Sequence, residues 1–524
     1  MGAERGTGVL GGPRVRLATS GGKGVYVCTR KRGIALTIVA LGAAGVAGPV
    51  AGQEAPRPGE LQLAACARGD LVPPARCGTF TVWENREAKT GRVIHLNVVL
   101  LAATGARPQP DPVVVLVGGP GQAATAQGPG LSRSALREDR DILLVDQRGT
   151  GASNGLYCSP PPDAPLQAFM PTMDAGEVRA CRTVLEQRAE LRYYLTSLAM
   201  DDLDDLRAAL GYEKINLQGG SYGTRAALVY IRRHGEHVRS ARLQGAVAFG
   251  HPMPSRFAQD AQASLGNVLR DCAAEAACAA AFPSLEADYR RAVRGTEEAP
   301  IRLRVRDPRT ADSVEVTFGA ADFAESLRAM LYTPNATRRI PLLLHHAAAT
   351  GDYRPFVEFQ LDRNLGLARG IAEGMYFAVS CTEDVARVDP EAVYASGRDT
   401  FLADHRARPH IEGCDGWPPG RLPAGFAEEV ESDVPVLLIT GANDPVTPPA
   451  SATLAASRLH HARVVIVPGG GHGLGGLVGA ACLDRLMDEF LRTADPANLD
   501  TSCVAAVRRA PFVLSLAGSR DGLL

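Results

Sequence analysis

The sequence predicts an α/β fold: a mostly parallel central sheet flanked by helices, with a helical insertion between core strands. Three observations predict it. Short, wholly apolar runs recur along the chain, as expected of strands buried on both faces. Several of these runs empty into loops dense in Gly, Asp and Pro. The runs break off after Ala248 and resume only at Val434, with helical spacing between. In order, residues 1–24 are a Gly/Arg-rich leader, and Arg30-Lys31-Arg32, apolar Ile34–Ala47 and small Val50-Ala51-Gly52 have the layout of a secretory signal. Residues 1–52 are therefore expected to direct export, leaving a secreted or periplasmic protein. The apolar stretch is too short, and too flanked by Gly and Pro, for a stable membrane anchor. Residues 53–252 form the first part of the core, with strands near Gly78–Trp83, Val93–Leu101, Pro112–Val117, Ile142–Val145, Ile215–Leu217 and Ala241–Ala248. Residues 253–378 read as helices at Ala258–Ala280, Ser284–Val293, Ala320–Leu331 and Ile340–Ala349, expected to cap the catalytic edge. Residues 379–524 return to the core through strands at Val434–Gly441 and Arg463–Pro468.

Between the Ile215 strand and the helix-like stretch Thr224–Arg233 stands Gly219-Gly220-Ser221-Tyr222-Gly223. Gly-x-Ser-x-Gly in a sharp strand-to-helix turn exposes a serine hydroxyl at the sheet edge. The helix N-terminus there favours developing negative charge. The pattern alone is common by chance, and its setting gives it weight. A nucleophilic serine needs a base, and the base an orienting acid; in α/β-hydrolases they follow in the order Ser, Asp or Glu, His. Asp444 lies just past the carboxyl end of the Val434 strand, in the turn-rich loop Ala442–Pro448, and His472 is the one side chain within Gly469–Gly473. Singly, Asp444 reads as a helix cap and His472 as a surface-loop histidine. Jointly, order and position at strand ends favour a Ser221, Asp444, His472 triad. His460 and His461 lack a glycine loop, and Glu431 and Asp433 lie at the wrong end of the strand. Thr447 reads as a helix N-cap or as support for the acid loop. The oxyanion hole is expected from the Tyr222 amide and from Gly119, in the loop Gly118–Gln122.

A formal net charge of −1 gives no reason to expect nucleic acid or an anionic membrane as partner. Of eleven cysteines, Cys28 falls in the signal region, which leaves ten, an even number. None has Cys-x-x-Cys zinc spacing, and an oxidising compartment permits bridges.

Three motifs together carry a family resemblance: Gly118-Gly119-Pro120-Gly121, then Asp146-Gln147-Arg148-Gly149-Thr150-Gly151 with Ser153, then Gly219–Thr224. They resemble the prolyl iminopeptidase group of α/β-hydrolases, above all its secreted tripeptidyl-aminopeptidase-like branch, over nearly all of the chain after residue 60. Typical prolyl iminopeptidases have His before Gly-Gly-Pro-Gly, where this chain has Val117. The resemblance implies a serine exopeptidase acting on peptides with a free N-terminus, through an acyl-enzyme, with no metal or cofactor. It implies that the Asp146–Ser153 loop braces the active edge, with Arg148 buried in ion pairs. It also implies that an acid shortly after Cys381 anchors the substrate amine: Glu383, with Asp384 as the alternative. The plainer reading of that segment is a solvated acid at a helix start. Finally, it implies neighbour pairing of cysteines: Cys66–Cys77, Cys158–Cys181, Cys272–Cys278, Cys381–Cys414 and Cys482–Cys503. A carboxylesterase with the same triad is the alternative function, and it would need no amine anchor. A protein of this fold that only binds ligands is disfavoured by the complete triad.

Overall fold

The computed structural model describes residues 57–158, 160–170 and 174–516; the expected leader and signal segment, 1–52, lies outside the described residues. In chain order the strands are β1 (Leu61–Ala65), β2 (Ala75–Trp83), β3 (Val93–Leu101), β4 (Val113–Leu116), β5 (Ile142–Val145), β6 (Ile215–Gly220), β7 (Val238–Gln244), β8 (Ile301–Arg306), β9 (Ser313–Phe318), β10 (Val436–Gly441) and β11 (Ala462–Val467). Nine form one sheet in the order β1-β2-β3-β5-β4-β6-β7-β10-β11. The β1, β2, β3 and β5 pairings are antiparallel, and those from β5 through β4, β6, β7 and β10 to β11 are parallel. Burial follows that layout. Every residue of β4, β5 and β10 is buried, whereas β1 at the edge has none buried. A core of Val, Leu, Ile and aromatic side chains joins the sheet to the helix Tyr222–His234 and to the helix Glu373–Glu383.

The segment between β7 and β10 has a hydrophobic core of its own, built from Phe257, Leu265, Phe323, Leu327, Leu344 and Phe356 among others, joined by Leu166, Phe169 and Met170. It departs from the expected all-helical pattern in two ways. The strands β8 and β9 form an antiparallel hairpin, in which alternating Ile301, Leu303 and Val305 face inward between arginines. The expected Ala258–Ala280 helix is two helices, Phe257–Ala274 and Ala276–Ala281, because Glu275 takes an extended conformation. A run of alanines on both sides conceals that break in the sequence. The last strand before the insertion also shifts, from Ala241–Ala248 to Val238–Gln244, ending where Gly245 adopts φ +67°.

All five cysteine pairs implied by the resemblance are bonded. Each closes a loop of 6 to 33 residues and restricts the unfolded chain, contributing about 2–4 kcal/mol apiece. Beneath the catalytic edge, Arg148 is fully buried. Its guanidinium meets Asp202 at 2.7 Å and donates to the carbonyls of Trp83, Glu84 and Tyr193. Asp146, at the end of β5, accepts from Thr125 N, Thr125 Oγ1, Asn97 Nδ2 and Ala152 N. These fully donated charges pin the Asp146–Ser153 loop in place.

Candidate active site

Strand β6 runs straight into the helix Tyr222–His234, and Ser221 occupies the one residue between them with φ 53° and ψ −124°. For a residue with a Cβ that backbone is strained, and the surrounding structure must hold it. The Ser221 amide donates to Gln244 O at 2.9 Å, and its carbonyl accepts from Thr224 N at 2.8 Å and Thr224 Oγ1 at 2.6 Å. Gly223 allows the helix to lie against β4, since a Cβ there would sit 2.1 Å from Leu116 O. This is why the turn demands small residues around the serine. At the neighbouring strand end, Gly119 takes φ +106°, a conformation that L side chains rarely adopt. Gln122 stiffens its loop by accepting from Gly118 N at 3.1 Å. Among the described residues nothing accepts from the Gly119 or Tyr222 amide. The helix N-terminus adds its positive end beside Ser221.

Asp444 and His472 stand on the loops after β10 and β11. His472 Nδ1 lies 2.9 Å from Asp444 Oδ2, with the acid fully buried and the histidine 13 % exposed. Thr447 Oγ1 donates to Asp444 Oδ2 at 2.8 Å and lies 3.1 Å from His472 Nδ1. The amides of Val446 and Thr447 donate to Asp444 Oδ1 at 2.8 and 2.9 Å. Thr447 therefore caps no helix: the next one begins at Pro449, with Pro448 before it. Its hydroxyl and amide orient the acid instead. The Asp-x-x-Thr spacing was visible in the sequence, but only the turn that folds Thr447 back over Asp444 distinguishes the two roles.

Burial works against charge on both members of this pair, yet their mutual attraction prevails. The Asp444 carboxyl is held below its ordinary range by His472 and by the donated hydrogen bonds. The His472 imidazole is raised above 6.5 by the Asp444 charge. A base must be neutral to accept a proton, so a raised value moves the acid limb upward. The expected kcat/KM therefore declines as pH falls through a value above 6.5, read from a pH–rate profile. An acid limb at or below 6.5 would contradict this assignment.

Ser221, Tyr222, Gly119, Thr447 and His472 line one cavity of about 730 Å³. The sheet's strand ends bound one side, and the insertion supplies Phe257, Asp260, Arg328 and Arg363 from helices and Tyr332 from a turn on the other. Tyr332 packs edge-on against the His472 ring, 5.3 Å between centroids. Nothing in the sequence singled out Tyr332, because its place beside His472 depends on how the insertion folds back.

Glu383 and Asp384, expected at the substrate amine, are not at this cavity. Both are fully buried. Glu383 accepts from Thr196 N and Thr196 Oγ1, each at 2.8 Å, and burial pushes its carboxyl up to about 7 against the pull of Arg225. Asp384 pairs with Arg225 at 2.6 Å beneath the nucleophile helix and with Arg387 at 3.3 Å. A carboxylate without exposed surface cannot receive a substrate ammonium. The plainer reading, a solvated acid, fails as well: these acids tie the helix Glu373–Glu383 to the helices that start at Thr196 and Tyr222. The acids that do line the cavity are Asp174, Glu177, Asp260 and Glu373.

Residues 400–503, which include Asp444 and His472, match the family described as TAP-like protein. The tripeptidyl aminopeptidase of Streptomyces coelicolor is 26% identical over 478 residues, covering 83% of this chain and 84% of that protein. The serine protease Hip1 of Mycobacterium tuberculosis is 24% identical over 424 residues, covering 74% and 79%. These similarities extend well beyond the matched segment. The chain is a serine hydrolase of the α/β-hydrolase fold, similar over most of its length to these two enzymes and, over residues 400–503, to the TAP-like family.

Proposed function

We propose that the protein is an exported serine aminopeptidase that removes residues or short peptides from free N-termini. The observation that carries the reading is one cavity holding Ser221, His472 and two amides without acceptors, bounded by the inserted helices. The names of the relatives, a tripeptidyl aminopeptidase and a serine protease, support peptides as the substrate class. In this mechanism Ser221 Oγ attacks the scissile carbonyl while His472 takes its proton. Asp444 holds the imidazole and stabilises its charged form, and the Tyr222 and Gly119 amides receive the oxyanion. His472 then protonates the leaving amine, and water completes deacylation. Of the two peptidase types in the family, the tripeptidyl one fits better, since Val117 stands where proline-specific members carry His. Five disulfides support export. The substrate amine would be held by the acids that line the cavity.

The test compares a tripeptidyl anilide with free and with acetylated N-terminus, beside a short acyl ester, using purified mature protein. The expected result is a preference of about 100-fold or more for the free amine, because acetylation removes the charge that the cavity acids would bind. Equal turnover of blocked and free anilides would overturn the aminopeptidase reading, and turnover of the ester alone would make the protein a carboxylesterase.

A further inference from the structure

Deep in the cavity, three arginines gather, and two of them pair with one carboxylate. Arg328 comes from the helix Ala320–Met330, Arg363 from the helix Arg354–Gly370, and Arg406 from the turn before the helix Ala407–Gly413. Glu325 meets Arg406 at 3.0 Å and Arg328 at 3.9 Å. Arg363 donates to Asn364 Oδ1 at 3.1 Å and has no carboxylate partner among the described residues. Three positive charges thus face one negative charge.

The guanidiniums are held by rings. Arg328 and Arg406 lie over Phe257 at 5.4 and 5.3 Å, and Arg328 and Arg363 over Tyr332 at 5.2 and 5.8 Å. Stacking fixes the planes and leaves N–H edges to be used. Some are unused: Arg328, 1 % exposed, has Nε and Nη1 without hydrogen-bond partners, as is Nε of Arg406. Burying a guanidinium with unsatisfied donors is costly, and a fold that keeps several together has a place for an anion. The excess charge registers on Tyr332. Burial would push its phenol up, but Arg328 and Arg406, with His472 and Arg363, pull it down to about 8.

We infer that Arg328, Arg363 and Arg406 form a subsite for a carboxylate of the substrate. The inference rests on the peptidase reading for the kind of substrate. Tyr332 joins the cluster to the His472 ring, so the carboxylate would sit one side chain away from the group that exchanges protons with the leaving amine. Two parts of a peptide carry that chemistry: the C-terminal carboxylate of a short leaving fragment, and an acidic side chain. Arginine forks suit either through paired N–H donation.

The experiment measures binding to S221A by calorimetry, so the result does not depend on turnover. The probes are trialanine, trialanine amide, and trialanine amide with Glu in place of each alanine in turn. A carboxylate-bearing probe should bind about tenfold or more tightly than trialanine amide, and the excess should shrink in S221A/R363Q and persist in part in S221A/R363K. Preference for trialanine over its amide assigns the subsite to the C-terminus, and preference confined to a Glu-bearing amide assigns it to a side chain. Equal affinity for all probes, no binding of any at millimolar concentration, or a preference unchanged by R363Q would overturn the inference. Wild-type turnover of the neutral anilide, measured separately, reports on the peptidase reading alone.

Discussion

Replacing Ser221 with alanine is expected to lower kcat by roughly 10⁴- to 10⁶-fold without loss of the fold. The hydroxyl is the atom that forms the acyl-enzyme, and among the described residues no other side chain at that point of the cavity offers a nucleophile at the helix N-terminus. The contacts that hold the strained turn are all main-chain or come from Thr224: the amide to Gln244 O, and the carbonyl to Thr224 N and Oγ1. Alanine keeps each of them. It also keeps the Cβ that already tolerates φ 53°, so no new strain enters. The thermal midpoint should therefore move by no more than about 2 °C, well inside the range of a neutral surface change. Labelling by a fluorophosphonate probe gives a second readout, strong in the wild type and absent in S221A. Retained labelling or turnover in a folded S221A protein would remove Ser221 from the chemistry.

Strands and the loops at their ends were legible because their signals are local. Runs such as Val113–Leu116 and Val436–Gly441 are apolar at nearly every position because both faces are covered, and the loops after them carry Gly119 and Asp444. His472 could be picked out from His460 and His461 by its glycines alone. What escaped was set by tertiary packing. Edge strand β1 has no all-apolar run, since three of its five residues face solvent. The hairpin β8–β9 hides its alternation behind arginines, whose stems suit a strand as well as a helix. The acids of Cys381-Thr382-Glu383-Asp384 looked accessible because acids usually are. Here Arg225 and Thr196, 159 and 187 residues away in sequence, make their burial tolerable. The arginine cluster was invisible for the same reason: Arg328, Arg363 and Arg406 come from separate elements and read singly as surface charge.

Asp444→Asn is expected to cost about 10³- to 10⁴-fold in kcat, although it changes one atom and little volume. Both oxygens of Asp444 are acceptors now, Oδ1 for the Val446 and Thr447 amides and Oδ2 for Thr447 Oγ1 and His472 Nδ1. Asparagine has only one oxygen to offer. Turned to keep the two backbone amides, it presents its NH₂ to His472. Nδ1 must then accept, the ring proton moves to Nε2, and the nitrogen that should take the serine proton already holds one. Turned the other way, the NH₂ faces two buried amide donors, leaving them unsatisfied at about 1–3 kcal/mol each. Either arrangement defeats the base, by the wrong tautomer or by a displaced loop. Loss of the carboxylate also removes the charge that raises the His472 value, so the remaining activity should show an acid limb shifted downward from the wild-type position. A pH–rate profile of the variant measures both effects together. Wild-type kcat, or an unmoved acid limb, would mean that another group orients His472.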